Sequence, residues 1–102
     1  MITLQPDFLL SNQTHYREIA SQTESLIIAP ANSNRRGGLI VNLSNNDLYV
    51  WFGSFLPANL DSWFVIPSRA NCDIPLFFVG NIQGVWLSND NKTAKIYEFY
   101  GD

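Results

Sequence analysis

The chain has 102 residues, enough for one domain around one hydrophobic core, and its six Lys and Arg leave a formal net charge of -3. Only Arg35 and Arg36 are adjacent, which excludes the clustered basic face that phosphate binding needs, so no nucleic-acid partner is expected. Charged residues are 15% against a usual ~25%, aromatics reach 14% and Asn is frequent, a composition that fits a compact β protein with uncharged loops and surfaces suited to neighbours.

Residues 1–34 differ in character from the rest. Phe8, Leu9 and Leu10 form a short apolar cluster among polar residues, and 16–20 alternates weakly. Residues 24–29 read as a strand stopped by Pro30, and 31–34 as a linker of small polar residues. The expectation is an N-terminal arm and first strand over 1–34, with the first twenty or so residues an arm or edge segment. A core over 35–102 follows.

Residues 35–53 read as one β-hairpin: an apolar run, a turn of Ser, Asn and Asp, then an aromatic-rich run. Further strands are expected at 62–66, 73–79, 82–87 and 94–100, separated by breaks rich in Pro, Gly, Asn and Ser. Short strands at this spacing predict an all-β fold, a compact β-sandwich of jelly-roll-like or Greek-key type with an extended N-terminal arm. Both faces of 48–52 are apolar, and so are those of 96–100 apart from Glu98. Two such strands in a small domain favour a homo-oligomer. Pro75 implies an edge strand or a bulge, because proline cannot donate to a ladder.

Reactive groups are sparse. His15 is the single histidine and lies in the polar arm, and Cys72 is the single cysteine, so neither an internal disulfide nor a Cys-based zinc site exists. A lone thiol points to synthesis in a reducing cytosol. The first residues lack the basic start and apolar core of a secretion signal, and no run approaches the ~18–20 apolar residues of a membrane span. Asp61 with Asp73, or Glu98 with Asp90, are the carboxylate pairs a glycosidase reading would use, but short strands leave little room for a cleft. Asn89-Asp90-Asn91 lacks EF-hand spacing and reads as a hairpin turn. Trp51, Trp63 and Trp86 raise a sugar-stacking alternative against their usual place in core or interface. The chain is therefore expected to be no enzyme, with no catalytic residue, cofactor or metal assigned.

From Arg35 to the end, the order of features resembles small virion structural proteins of tailed bacteriophages. The stretches that carry it are Arg36 with 39–42, 46–53, Ile66-Pro67, Ile74-Pro75, 80–86 and 96–99. The resemblance implies a passive assembly role, most simply a capsid decoration (cement) protein. It would act as a homotrimer bound to the major capsid protein or other virion proteins, made in the host cytoplasm and carried in the virion. A neck, tail or baseplate component is the alternative within that group, and a carbohydrate-binding module or adhesin tip the alternative outside it. The interface expected from these readings comprises Phe8, Leu9, Leu10, Tyr16, Arg35, Arg36, Tyr49, Trp51 and Trp63.

Overall fold

A computed structural model describes residues 13–101. They form β1 (Gln13–Ala20), β2 (Leu26–Ala29), β3 (Arg35–Asn42), β4 (Leu48–Phe52), β5 (Phe64–Ile66), β6 (Asn71–Ile74), β7 (Ile82–Trp86) and β8 (Thr93–Tyr100), with one 3-10 turn at Leu60–Ser62. The strands make two four-stranded antiparallel sheets, β1-β8-β3-β6 and β2-β7-β4-β5. β4 pairs with β5, β3 with β6, β2 with β7 and β1 with β8, as in a long ribbon folded back on itself and then rolled. This is the strand order of an eight-stranded jelly roll. The expected all-β sandwich is what the chain forms.

Period-two alternation builds the core. Ala94, Ile96, Glu98 and Tyr100 of β8 point inward and are buried, as are Leu48 and Val50 of β4. These meet Ile28, Ile40, Ile66, Ile74, Ile82 and Trp86 in one cluster between the sheets. Each such aliphatic side chain contributes about 1.5–3 kcal/mol on burial. Gly38 is required by close approach: a Cβ there would strike the Tyr97 carbonyl and come within 2.7 Å of Ile74 Cδ1.

Two expectations need correction. The stretch 35–53 is not a hairpin, because β3 and β4 lie in different sheets and 43–47 crosses between them. The turn residues report a local bend, while the ladder partners of both runs come from distant parts of the ribbon. Asn42, fully buried, shapes that crossing. Its amide donates to Asn46 O at 2.8 Å and Ile66 O at 2.9 Å, and its Oδ1 accepts from the Ser44 N–H at 3.1 Å and hydroxyl at 2.9 Å. The boundary at residue 34 also has no structural counterpart. β1 pairs with β8 along its whole length and β2 with β7, so 13–34 is an integral part of both sheets. Phe8, Leu9 and Leu10 lie outside the described residues. Pro75 falls immediately after the edge strand β6, as its missing donor requires.

Candidate functional site

The two ends of the sandwich differ in chemistry, and the difference starts from the two ends of β3. Asn42 gathers one end, where the connections 21–25, 43–47, 67–70 and 87–92 carry Ser, Asn, Glu24, Asp47, Arg69, Asp90 and Lys92, with Leu87 the one large apolar side chain exposed among them. Arg35 gathers the other, where 30–34, 53–62 and 75–81 carry Phe55, Leu56, Leu76, Phe77 and Val79 exposed to solvent.

A register shift between Arg35 and Gly37 sends the Arg35 side chain inward, where it is 0% exposed. Its Nε donates to Glu98 Oε2 at 2.9 Å. Its Nη1 donates to the carbonyls of Phe78 at 3.1 Å and Gly80 at 2.8 Å, and its Nη2 to that of Pro30. One guanidinium thus holds two of the three connections at this end. The second carboxylate oxygen of Glu98 lies 3.0 Å from Arg17 Nη2, an ion-pair contact without the angle of a hydrogen bond. Glu98 is therefore flanked by two guanidiniums, which offsets the desolvation of a fully buried carboxylate.

Backbone bonds lock the same loops to one another. Gly53 donates to Asn81 O at 2.8 Å, Asn32 to Val79 O at 2.8 Å, Phe77 to Arg36 O at 2.9 Å and Gly101 to Asn34 O at 2.8 Å. The Asn81 side chain accepts from Ala31 N at 2.8 Å and donates to Ser54 Oγ at 3.3 Å. Beneath them Phe52 packs against Phe64 at 5.5 Å and edge-on against Phe78 at 5.6 Å between ring centroids.

On this rigid base the apolar side chains point outward. Phe55 is 94% exposed at the tip of its loop. Phe77 is 57% exposed and has a φ of +62°, a left-handed conformation costing about 1–2 kcal/mol for a bulky residue. Its amide bond to Arg36 O holds it there, and the Arg36 guanidinium stands 5.9 Å from its ring centroid. Exposed apolar side chains gathered at one end of the sandwich, on loops bonded to one another, are what a docking surface would need. Strain kept at an exposed aromatic points the same way.

The expected interface residues divide accordingly. Arg36 lies at this end. Arg35 does not contact the surface at all: it is an internal clamp, a correction whose cause is the bulge that turns it inward and the presence of Glu98 to receive it. Trp63 is also corrected, being 7% exposed with its indole directed at Pro57 O. Tyr49 and Trp51 are half-buried on the outer face of the β2-β7-β4-β5 sheet, with Trp51 stacked 6.1 Å from Phe64. Tyr16 is exposed on β1, its ring 5.1 Å from that of Tyr97. Sequence reasoning missed Phe55, Leu76, Phe77 and Val79. The run 73–79 reads as a strand by hydrophobicity, and Pro75 was the signal that the strand stops.

The remaining reactive groups are dispersed. His15 is on β1 and Cys72 on β6, opposite edges of one sheet and so more than roughly 14 Å apart, three strand spacings across and two residues out of line. Burial pushes the Cys72 thiol up from its ordinary pKa, away from the thiolate. Glu98 lies near the end of β8, whereas Asp90 lies in the connection that precedes that strand. Asp90 Oδ2 accepts from the Asn45 N–H at 2.7 Å, and its Oδ1 from the Ser21 hydroxyl and the Lys92 N–H, each at 3.1 Å. These bonds, led by that from Asn45, lower its pKa. Among the described residues no group of three or more His, Cys, Asp and Glu is placed to hold a metal ion. No family model, curated protein or solved structure matches this chain.

Proposed function

We propose that this chain is a non-enzymatic structural protein that docks through its apolar end onto a protein lattice, as a capsid decoration protein of a tailed phage. It would be made in the host cytoplasm and carried in the virion, with the major capsid protein as its partner. The observation that carries the docking part is that Phe55, almost fully exposed, and the strained Phe77 stand on connections at the same end of the sandwich, the first tied to Asn81 through Gly53 and Ser54 and the second held by Arg35 through Phe78 and Gly80. The virion part rests on the sequence resemblance, and the jelly-roll order agrees with it by analogy, since capsid proteins use that fold; so do lectins.

The test is co-sedimentation with heads of the phage that encodes the chain. Wild-type protein is expected to pellet with heads, and Phe55→Ser/Phe77→Ser to remain in the supernatant with an unchanged urea midpoint. Equal binding by the double variant overturns the docking surface, and no binding by wild type overturns the head as partner. Copies per particle then separate a cement protein, in the hundreds, from a neck or baseplate ring of about a dozen. A glycan-binding reading retains Trp51 and Tyr49 on the outer sheet face, and a tryptophan-fluorescence titration with bacterial polysaccharide tests it.

A further inference from the structure

The two sheets have four edges, and three of them are blunted. β2 has four residues, a register shift and Pro30 directly after it; β5 has three residues and Pro67; β6 has four and Pro75. Short strands, bulges and prolines are among the devices by which sheets avoid edge-to-edge pairing; an inward-pointing charge is another, and the one on β1, Arg17, is engaged by Glu98. β1 has none of the first three. It runs eight residues without a proline or a register shift, and it is largely exposed on both faces. Among the described residues no strand pairs with its outer edge.

The hydrogen-bond phase of that edge follows from two bonds. Ser21 N donates to Lys92 O at 2.9 Å, and Leu43 N donates to Thr93 O at 3.0 Å. Antiparallel ladders alternate, so the even-numbered residues of β8 bond β1 and the odd-numbered ones bond β3. Opposite them, odd-numbered β1 residues (Gln13, His15, Arg17, Ile19) bond β8. Thr14, Tyr16, Glu18 and Ala20 therefore turn their N–H and C=O groups to the free edge.

We propose that β1 pairs antiparallel with β1 of a second copy across a two-fold axis, joining two four-stranded sheets into one of eight. Charge selects the register. An axis at Arg17 sets two guanidiniums opposite each other, and one at Glu18 sets two carboxylates. An axis at Tyr16 avoids both while keeping seven residues in the overlap: Thr14 faces Glu18, His15 faces Arg17 and Gln13 faces Ile19. Each Tyr16 ring already lies against Tyr97, so the axis joins four tyrosines in a row on the outer face. The strand carries one positive and one negative charge, so a second copy meets no net repulsion. An isologous pairing closes at two, unlike the trimer the sequence resemblance implies. It is independent of the docking surface, which lies on the connecting loops and not on the β1 edge.

The test combines light scattering over a dilution series with residue-resolved amide exchange. The expected result is a mass of two chains. Thr14, Tyr16 and Glu18 amides are protected at high concentration and exposed on dilution, while His15, Arg17 and Ile19 stay protected throughout. Thr14→Pro/Glu18→Pro removes edge donors but no β1–β8 bond, and Tyr16→Arg sets like charges on the axis. Each variant is expected to move the association midpoint at least tenfold, with an unchanged urea midpoint at dilutions where wild type is a single chain. Phe55→Ser/Phe77→Ser is expected to dimerise as wild type does. A single-chain mass at every concentration overturns the proposal, and so does a trimer. A dimer with freely exchanging even-numbered amides, or one lost in the Phe55/Phe77 variant, places the contact elsewhere and overturns it. A monomer with those amides protected assigns the edge to the chain's own residues and overturns it equally.

Discussion

Replacing Arg35 with Met removes a fully buried cation from beside Glu98 and leaves the carbonyls of Pro30, Phe78 and Gly80 without their donor. Stripping one partner from a buried ion pair typically costs 3–5 kcal/mol, because the other charge stays behind without compensation. Arg17, 3.0 Å from the second oxygen, keeps part of that compensation, which argues for the lower end of the range. The three carbonyls lie at partly buried positions, so water replaces some of their bonds and together they add about 1–2 kcal/mol. The expected loss is therefore about 4–5 kcal/mol, against the roughly 5–15 kcal/mol that holds a domain of this size folded. At an m-value of about 1.5 kcal/mol/M the urea midpoint falls by roughly 3 M. Glu98→Gln and the double variant Arg35→Met/Glu98→Gln complete a cycle in which the pair couples by at least about 1 kcal/mol. Amide exchange at Asn32, Gly53 and Phe77 should accelerate more than exchange in β7. A loss under about 1 kcal/mol for Arg35→Met, or strict additivity in the cycle, refutes the clamp.

Other outcomes follow from single positions. Gly38→Ala drives a methyl group into the Tyr97 carbonyl and Ile74, and is expected to cost about 3 kcal/mol or more, read as a collapsed melting transition. Asn42→Ala orphans the carbonyls of Asn46 and Ile66 and should cost about 2–4 kcal/mol in urea unfolding. Phe77→Gly relieves the positive φ but loosens the unfolded chain, so stability should stay within about 1 kcal/mol while head binding is lost. Asp90 has its pKa lowered in the folded state by the Asn45 amide and its neighbours. Its stabilisation is therefore complete above the unfolded carboxylate pKa of 3.8 and fades as pH falls through the lower folded value. The gap in urea midpoint between wild type and Asp90→Asn should be constant from pH 7 to 5 and should shrink toward pH 3.

Much of the fold was legible because the strands obey local rules. β8 alternates residue by residue, and Pro30, Pro67 and Pro75 stop β2, β5 and β6 where their missing donors require it. β1 was faint because an edge strand exposed on both faces has no buried side to impose alternation. Arg35 was misread for a different reason. An arginine at a strand entrance looks solvated unless one knows that a bulge turns it inward and that Glu98, distant in sequence, meets it there. The exposed apolar loop residues were hidden by their own hydrophobicity: Leu76, Phe77 and Val79 have the composition of a buried strand and the position of a surface loop. Composition reports what a segment prefers to touch, and only the nested pairing decides whether this chain supplies it.

The pairing of Gln13 with Tyr100 has a consequence for how the molecule is made. The innermost pair, β4 with β5, can close early, but each outer pair waits for a strand further along the chain, and β1 waits for β8. Such non-local closure places folding in the millisecond-to-second range. A ribosome adding about 5–20 residues per second takes several seconds more to deliver the partner. During that interval β1 is a bare strand with both edges unpaired. In a crowded polysome the nearest complementary edge belongs to a neighbouring nascent chain, so co-expression level, and not only solution concentration, should influence how much of this protein emerges with strands exchanged.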